Sequence, residues 1–198
     1  MSPDDERPGS GLRPATARDA ALVARLSDMA DEELPRLIWA REVTADKDIW
    51  AVGTESYARL LAGGVPGRML LSDTGAAPTG GVWTYPMTDP GDPDAAPIAD
   101  LAPLRRLKRH MAGDWYIDFI AVLPEHRGRG LGRVLLAGAL DAARAAGARR
   151  IGLIALDSNA TAIALYGSAG FVAMASERLV NDAWKTGAQD AVLMTRAL

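Results

Sequence analysis

Arginine and glycine alternate through Arg127-Gly128-Arg129-Gly130-Leu131-Gly132-Arg133, directly after the apolar run Ile120-Ala121-Val122-Leu123-Pro124. The chemistry this suggests is capture of a polyanion. Trp115 to Val122 is rich in aromatic and β-branched residues and reads as a buried strand; Pro124 stops it, and from Leu131 the apolar positions take helical spacing. The first amides of a helix have no partners within it and lie at the positive end of its dipole, so a phosphate is favoured there, and glycines leave room for it. Arg127, Arg129 and Arg133 add charge suited to phosphate oxygens. Two familiar phosphate loops do not fit: a Walker A loop needs Gly-Lys-Ser/Thr where Arg133-Val134 stands, and a dinucleotide fingerprint beginning at Gly128 needs glycine at Arg133.

Asp118 is a second residue with chemical potential. A lone carboxylate inside an apolar strand is costly unless it is paired or hydrated, and aspartate is a poor strand former. It reads either as a proton acceptor or as half of an ion pair with an arginine. Strand alternation puts it on the side of Tyr116 and Ile120, as long as no bulge changes the phase.

Further along, a strand-like Ile151 to Leu156 leads into Asp157-Ser158-Asn159-Ala160-Thr161-Ala162-Ile163-Ala164-Leu165-Tyr166-Gly167-Ser168-Ala169-Gly170-Phe171. Arg127, Gly130 and Gly132 form an Arg-x-x-Gly-x-Gly pattern that resembles the pyrophosphate motif of the GNAT superfamily of acetyl-CoA-dependent N-acetyltransferases. Asn159, Ala162, Leu165, Tyr166, Gly170 and Phe171 resemble its second signature, in the same order along the chain. The likeness is specific from Trp115 to Phe171 and only architectural before that.

The resemblance implies an α/β (α+β) fold: one GNAT-type domain, with a mixed, mostly antiparallel sheet of about six to seven strands, helices on both faces and a splayed parallel strand pair. Acetyl-CoA would lie in that splay, as co-substrate. Backbone groups of Ile120, Ala121 and Val122 would pair with the pantetheine arm and polarise the thioester. Amides from Gly128 to Arg133, with Arg127, would hold the pyrophosphate, and Asn159 would bond the pantetheine. Tyr166, also at the cofactor, would protonate the leaving thiolate after a neutral amine attacks through a tetrahedral intermediate. Asp118 is the candidate general base. Some N-terminal acetyltransferases of the superfamily carry glutamate five residues before the motif asparagine; Ile154 stands there, which argues against a ribosomal-protein or peptide acceptor.

The elements that must position these groups follow from pattern. Residues 1–11 are polar, with proline and glycine, and read as a disordered leader; 12–198 read as a single domain. Leu12 to Ala15 is a first strand, Thr16 an N-cap, and Ala20 to Ala30 an amphipathic helix. Glu32 to Ala40 and Trp50 to Leu61 read as helices, the latter ended by Gly63-Gly64. Met69 to Leu71 and Gly81 to Tyr85 read as antiparallel strands around a turn at 73–78. Met87 to Pro103, with four prolines and several aspartates, is an insertion whose length suits a lid over the acceptor pocket. Leu104 to Met111 is a short basic helix that reads as a solvated charged face. Leu131 to Ala146 is the long helix, capped by Gly147, and Ala191 to Thr195 a final strand.

Composition narrows the function further. With 198 residues and 48% hydrophobic content, one well-buried domain is expected. There are no cysteines and only two distant histidines, His110 and His126, so no metal is expected. A net charge of -3 without a basic tract argues against nucleic acid, and the lack of a long apolar stretch or signal core against membrane, so a cytoplasmic protein is expected, with a homodimer open to it. Asp31-Glu32-Glu33 and the aromatics Trp39, Trp50, Tyr57, Trp83 and Tyr85 would suit a small cationic amine acceptor if they converged on one cleft. A non-catalytic acyl-CoA-binding or regulatory module is the competing reading.

Overall fold

The computed structural model describes residues 11–64, 67–73, 75 and 77–198. The leader expected over 1–11 lies outside the described residues except for Gly11, as do positions 74 and 76 of the expected turn.

Seven strands, β1 (Leu12–Pro14), β2 (Arg68–Ser72), β3 (Gly80–Pro86), β4 (Trp115–Val122), β5 (Arg150–Leu156), β6 (Val172–Arg178) and β7 (Asp190–Ala197), form one sheet in the order β1-β2-β3-β4-β5-β7-β6. Every neighbouring pair is antiparallel except β4 and β5, which run parallel. Among the described residues six α-helices accompany it: α1 (Ala20–Ala30), α2 (Leu34–Trp39), α3 (Ile49–Gly63), α4 (Leu101–Arg109), α5 (Leu131–Ala145) and α6 (Ala160–Ser168). Among the described residues no helix is long and apolar enough to cross a membrane.

The helices cover both faces because their apolar stripes demand it. On α5, Leu135, Leu136, Ala139, Leu140 and Ala143 recur on one face, and with Tyr166 and Phe171 they pack over Val82, Ile117, Ile151 and Leu153. On the other face, Val23, Ala24 and Leu26 of α1 and Val52 and Tyr57 of α3 pack over Met69, Leu71, Phe119 and Ala121. A third cluster, under α4, joins Leu107, Met111 and Tyr116 to Leu179, Trp184 and Leu193.

Three elements differ from the sequence pattern. The second helix begins at Leu34 rather than Glu32, because Glu32 and Glu33 both adopt left-handed backbone (φ +47° and +70°) to reverse the chain after α1, and Pro35 sits in the first turn, where its missing N–H costs nothing. For the same reason Pro103 lies inside α4, which starts at Leu101, so the insertion is shorter than 87–103. Strand β6 has no alternation to announce it: Val172 and Met174 are among its exposed residues, and its shape is imposed by pairing with β7.

The insertion is fastened at its end. Asp100, 1% exposed, accepts from the backbone N–H groups of Asp182, Ala183 and Trp184, at 2.9, 3.1 and 3.2 Å. Trp184 in turn donates its ring N–H to the carbonyl of Glu32 at 2.8 Å, and the Thr186 hydroxyl bonds the Glu32 carboxylate. Three separate segments thus form one wall. Asp100→Ala strips the acceptor from three amides at once and should cost at least about 3 kcal/mol, given roughly 1.5–3 kcal/mol for a single hydrogen bond to a charged group. Urea unfolding checks this; a loss below about 0.5 kcal/mol, the scale of an ordinary surface change, would mean that the clasp does not hold the wall.

Candidate active site

The parallel pairing of β4 and β5 is brief. Trp115, Tyr116 and Ile117 pair with Ile151, Gly152 and Leu153, and beyond them the strands separate while each keeps its antiparallel partner. The gap opens into a cavity of about 960 Å³ lined by both strands, by Gly128, Gly130, Leu131 and Gly132 at one end, and by Asp31, Tyr85, Lys108 and Trp184 at the other.

At the first end the chain leaves β4 through a short 3-10 turn (Pro124–His126) and enters α5 at Gly130. Gly128 and Gly130 have φ of +75° and +82°, conformations that other residues adopt at a cost, and a Cβ on either would project into open space. No group among the described residues accepts from the amides of Gly128, Arg129, Gly130, Leu131 or Gly132. Arg133 stands in the first turn of α5, where a cation opposes the helix dipole unless an anion is near. These features fit a phosphate-bearing ligand. Arg127 lines the cavity and donates Nε–H to the Val122 carbonyl at 3.0 Å, whereas exposed Arg129 and Arg133 lie outside its walls.

The backbone of β4 is divided between β3 and the gap. Leu123 donates its N–H to the Thr79 carbonyl beyond β3, so by strand alternation Ala121 also faces β3, and its carbonyl lies against Gly80. Ile120 and Val122 face the gap. Of the three backbones expected to meet a pantetheine arm, Ala121's is therefore already engaged, and the Val122 carbonyl also accepts from Arg127.

Asp118 sits at a bulge. Trp83 pairs with Phe119 and Thr84 with Ile117, which leaves Asp118 as the extra residue. The bulge shifts the phase: Tyr116 packs toward α4, Phe119 and Ala121 toward α1 and α3, while Ile120 joins Ile117 under α5. The expected common side is thus corrected for Ile120, while Tyr116 and Asp118 both meet the Lys108 ammonium. The ion-pair partner is also not an arginine: Lys108 Nζ lies 3.2 Å from Asp118 Oδ1, and the Tyr85 hydroxyl donates to the same oxygen at 2.8 Å. Lys108 extends from the basic helix, so that helix is not simply a solvated face. Burial alone would lower the Lys108 pKa, but the charge of Asp118 and the facing Tyr116 and Tyr85 hold it well above its ordinary value, with the ammonium 5.0 Å from the Tyr116 ring centroid. Tyr116 itself is raised by burial, and its hydroxyl bonds the backbone of Ile154.

The acidic triplet divides. Glu32 belongs to the Trp184 and Thr186 clasp, and exposed Glu33 pairs with Arg36 at 3.0 Å. Only Asp31 lines the cavity. Burial, reinforced by the charge of Asp118 and opposed by Lys108, raises its pKa to about 8. The aromatics converge: Trp39, Tyr57, Trp83 and Tyr85 line the cavity in a chain of ring contacts with centroid separations of 6.5, 6.5 and 4.9 Å, continued to Tyr116 at 5.9 Å. Trp50 does not; it is 38% exposed, with the Arg36 guanidinium 5.0 Å from its ring.

Between the two ends stand Tyr166 and Asn159. Tyr166 on α6 is 8% exposed and packs 6.0 Å from the Phe171 ring. Burial, with the nearby charge of Asp31, raises its pKa to about 12, so the hydroxyl is protonated at neutral pH. Asn159 is the N-cap of α6: its Oδ1 accepts from the Ala162 N–H at 3.0 Å, which leaves its amide NH₂ for a ligand. Among the described residues no group of three or more His, Cys, Asp or Glu side chains could hold a metal ion.

The model of the acetyltransferase (GNAT) family matches residues 71–171, about half of the chain. The chain belongs to the GNAT acetyltransferase family. The match spans the gap, the cradle and the α6 signature of this GNAT domain, and the acidic, aromatic end lies partly outside it. Solved structures agree over 94% of the chain. One is the yncA protein of Salmonella typhimurium with its cofactor acetyl-CoA, at 25% identity, a TM-score of 0.59 and 92% of that chain. A GNAT family acetyltransferase from Elizabethkingia anophelis with acetyl-CoA bound (18%, TM-score 0.58, 97% of that chain) and the ribosomal-protein-S18-alanine N-acetyltransferase of Escherichia coli (19%, 0.60, 92%) share the fold. No curated protein matches the chain in sequence.

Proposed function

We infer that this GNAT domain transfers the acetyl group of acetyl-CoA to the primary amine of a small molecule, by direct attack within a ternary complex. The observation that carries the reading is the continuous cavity, which joins an anion cradle at the α5 N-terminus to an acidic, aromatic compartment through the gap between β4 and β5.

In this reading the amides from Gly128 to Gly132 and the Arg127 guanidinium hold the pyrophosphate, and Arg129 and Arg133 add to the positive field from outside the walls. The gap-facing peptide groups of Ile120 and Val122 pair with the pantetheine arm, helped by the Asn159 amide. This sets the thioester beside Tyr166, whose hydroxyl donates to sulfur as the C–S bond breaks. Little covalent work falls to the protein: fixing two reactants in one orientation supplies a large share of such an acceleration, and one well-placed acid adds ~10²–10⁴-fold.

The acceptor compartment favours a small amine on an apolar or aromatic body. Its walls are tyrosine and tryptophan rings, and Ile154 contributes apolar surface where some N-terminal acetyltransferases are expected to carry a carboxylate. A small-molecule acceptor is accordingly preferred to a ribosomal-protein terminus, even though one neighbour of similar fold acts on the latter.

The test is CoA release from acetyl-CoA across a panel of primary amines, aromatic and aliphatic, beside an alanine-terminated peptide. Turnover should be confined to small amines. Tight acetyl-CoA binding without turnover on any of them would replace this reading with the non-catalytic module, and preferential turnover of the peptide would overturn the small-molecule acceptor.

A further inference from the structure

Of the three carboxylates that line the cavity, Asp31, Asp89 and Asp118, two have donors: Asp89 accepts from the Gly91 N–H at 2.8 Å, and Asp118 is held by a cation and a hydroxyl. Asp118 has Lys108 at 3.2 Å and the Tyr85 hydroxyl at 2.8 Å, so that pair is electrically closed. Asp31 is different. Its backbone is tied at both ends, by its N–H to the Ser27 carbonyl and its carbonyl to the Leu34 N–H, each at 3.0 Å, yet no described group donates to its carboxylate. It is the C-cap residue of α1, at the negative end of that helix, where a carboxylate is disfavoured and a cation is welcome. A half-buried carboxyl kept where its charge is least favourable, with no partner of its own, is poised for a positive ligand that would stabilise its ionised form.

We propose that Asp31 receives the ammonium group of the acceptor and takes its proton before attack, a role that rests on the acetyl-transfer reading above. The groups facing it are Asp28 on α1, Lys108 on α4, Tyr57 on α3, Tyr116 and Asp118 on β4 and Tyr166 on α6; Asp89 and Arg105 line the same cavity, Arg105 donating to the Asp92 carbonyl. With Lys108 beside Asp118, Asp31 is the carboxylate left without a cation, and an arriving ammonium would supply the counter-charge that favours its ionised form. The ammonium gives a proton to Asp31, and the freed lone pair forms the C–N bond at the thioester carbon. The C–S bond breaks with its electrons going to sulfur, which Tyr166 protonates. A second proton leaves nitrogen and restores Tyr166 through water, while Asp31 releases its own to solvent, so that ammonium and thioester become amide, thiol and one free proton.

Carboxyl ¹³C NMR of aspartate-labelled protein tests this, with Asp31→Asn identifying the resonance and benzylamine, 2-phenylethylamine and tryptamine as probes. The Asp31 midpoint, about 8 in the free protein, should fall by about one unit or more when an amine saturates the site, since the paired ammonium favours the ionised form. The matching alcohols should leave it in place. A midpoint that none of the three amines moves would overturn the proposal. With a productive amine, Asp31→Asn should lower kcat/KM by ~10²–10⁴-fold and remove the rise near pH 8, at unchanged acetyl-CoA affinity, with Asp31→Glu partly restoring it. Parental kcat/KM in Asp31→Asn would overturn proton acceptance. A shifted midpoint without turnover of any amine would retire the transfer reading and support the ammonium site alone; turnover without a shift would do the reverse.

Folding supplies a separate readout. A raised aspartate pKa stabilises the fold at low pH and loses that contribution as pH rises from the ordinary 3.8 through about 8. Asp31→Asn should therefore gain in Tm over the parent as the pH is raised from 5 to 9. A difference in Tm that stays constant over that range would show that Asp31 carries no suppressed charge.

Discussion

Gly130→Asp should abolish acetyl-CoA binding in a protein that still folds. Two features make the substitution informative. The φ of +82° at Gly130 is a left-handed conformation that aspartate tolerates better than most residues, and no protein atom lies within 4 Å of the added Cβ, so packing is undisturbed. The new carboxylate then stands in the space before the free amides of the α5 N-terminus. One unit charge about 4 Å from a phosphate costs about 4 kcal/mol at an effective dielectric of 20, which is close to a 10³-fold loss of affinity. Gly130→Asn carries the same backbone strain without the charge and should bind distinctly better. Calorimetric titration with acetyl-CoA decides: parental affinity in a folded Gly130→Asp protein would show that the ligand's phosphates lie elsewhere.

The second large effect is expected at the other end of the cofactor. Tyr166→Phe should lower kcat on the order of 10²-fold while acetyl-CoA affinity and Tm change little. The ring is held by packing, with Phe171 at 6.0 Å and the α5 cluster around it, and phenylalanine keeps all of that. The hydroxyl matters only when negative charge develops on the departing sulfur, so its loss falls on the transition state and not on binding. With its pKa raised to about 12, the group stays protonated across the working range, and no fall in activity with rising pH should come from Tyr166 itself below that limit. An unaltered kcat, measured with a productive amine while chemistry limits the rate, would leave water as the proton donor.

The site residues were not equally legible. Those with a backbone task could be read as written: Gly128, Gly130 and Gly132 at the end of an apolar strand, Gly147 beyond an alanine-rich helix, Asn159 ahead of a short one. Each is bound to its neighbours in the chain by conformation or capping, and local order is what sequence records. The family resemblance added Tyr166 for the same reason, since it sits at fixed spacing from Asn159 on one helix.

Asp118 could be noticed but not interpreted. Its significance depends on the bulge between Trp83 and Thr84 and on Lys108, ten residues away on another element, and a one-residue slip in register exchanges the faces of everything beyond it. Strand β6 has no apolar alternation for a related reason, since it owes its form to β7.

The sequence by itself determined the αβ elements and the glycine-rich start of α5, because these rest on hydrophobic period, glycine conformation and helix termini within short stretches; the splayed strand pair and the acid proposed on α6 entered only through the family resemblance. Only the tertiary structure decided which charges face one another. Asp31, Lys108, Asp118 and Tyr166 come from α1, α4, β4 and α6, and nothing in their spacing says that the acidic triplet would split, with Glu32 clasping Trp184 while Asp31 alone turned into the cavity. Interaction between charges falls with distance in space and depends on burial, and both are set by how the layers close rather than by the order of residues along the chain.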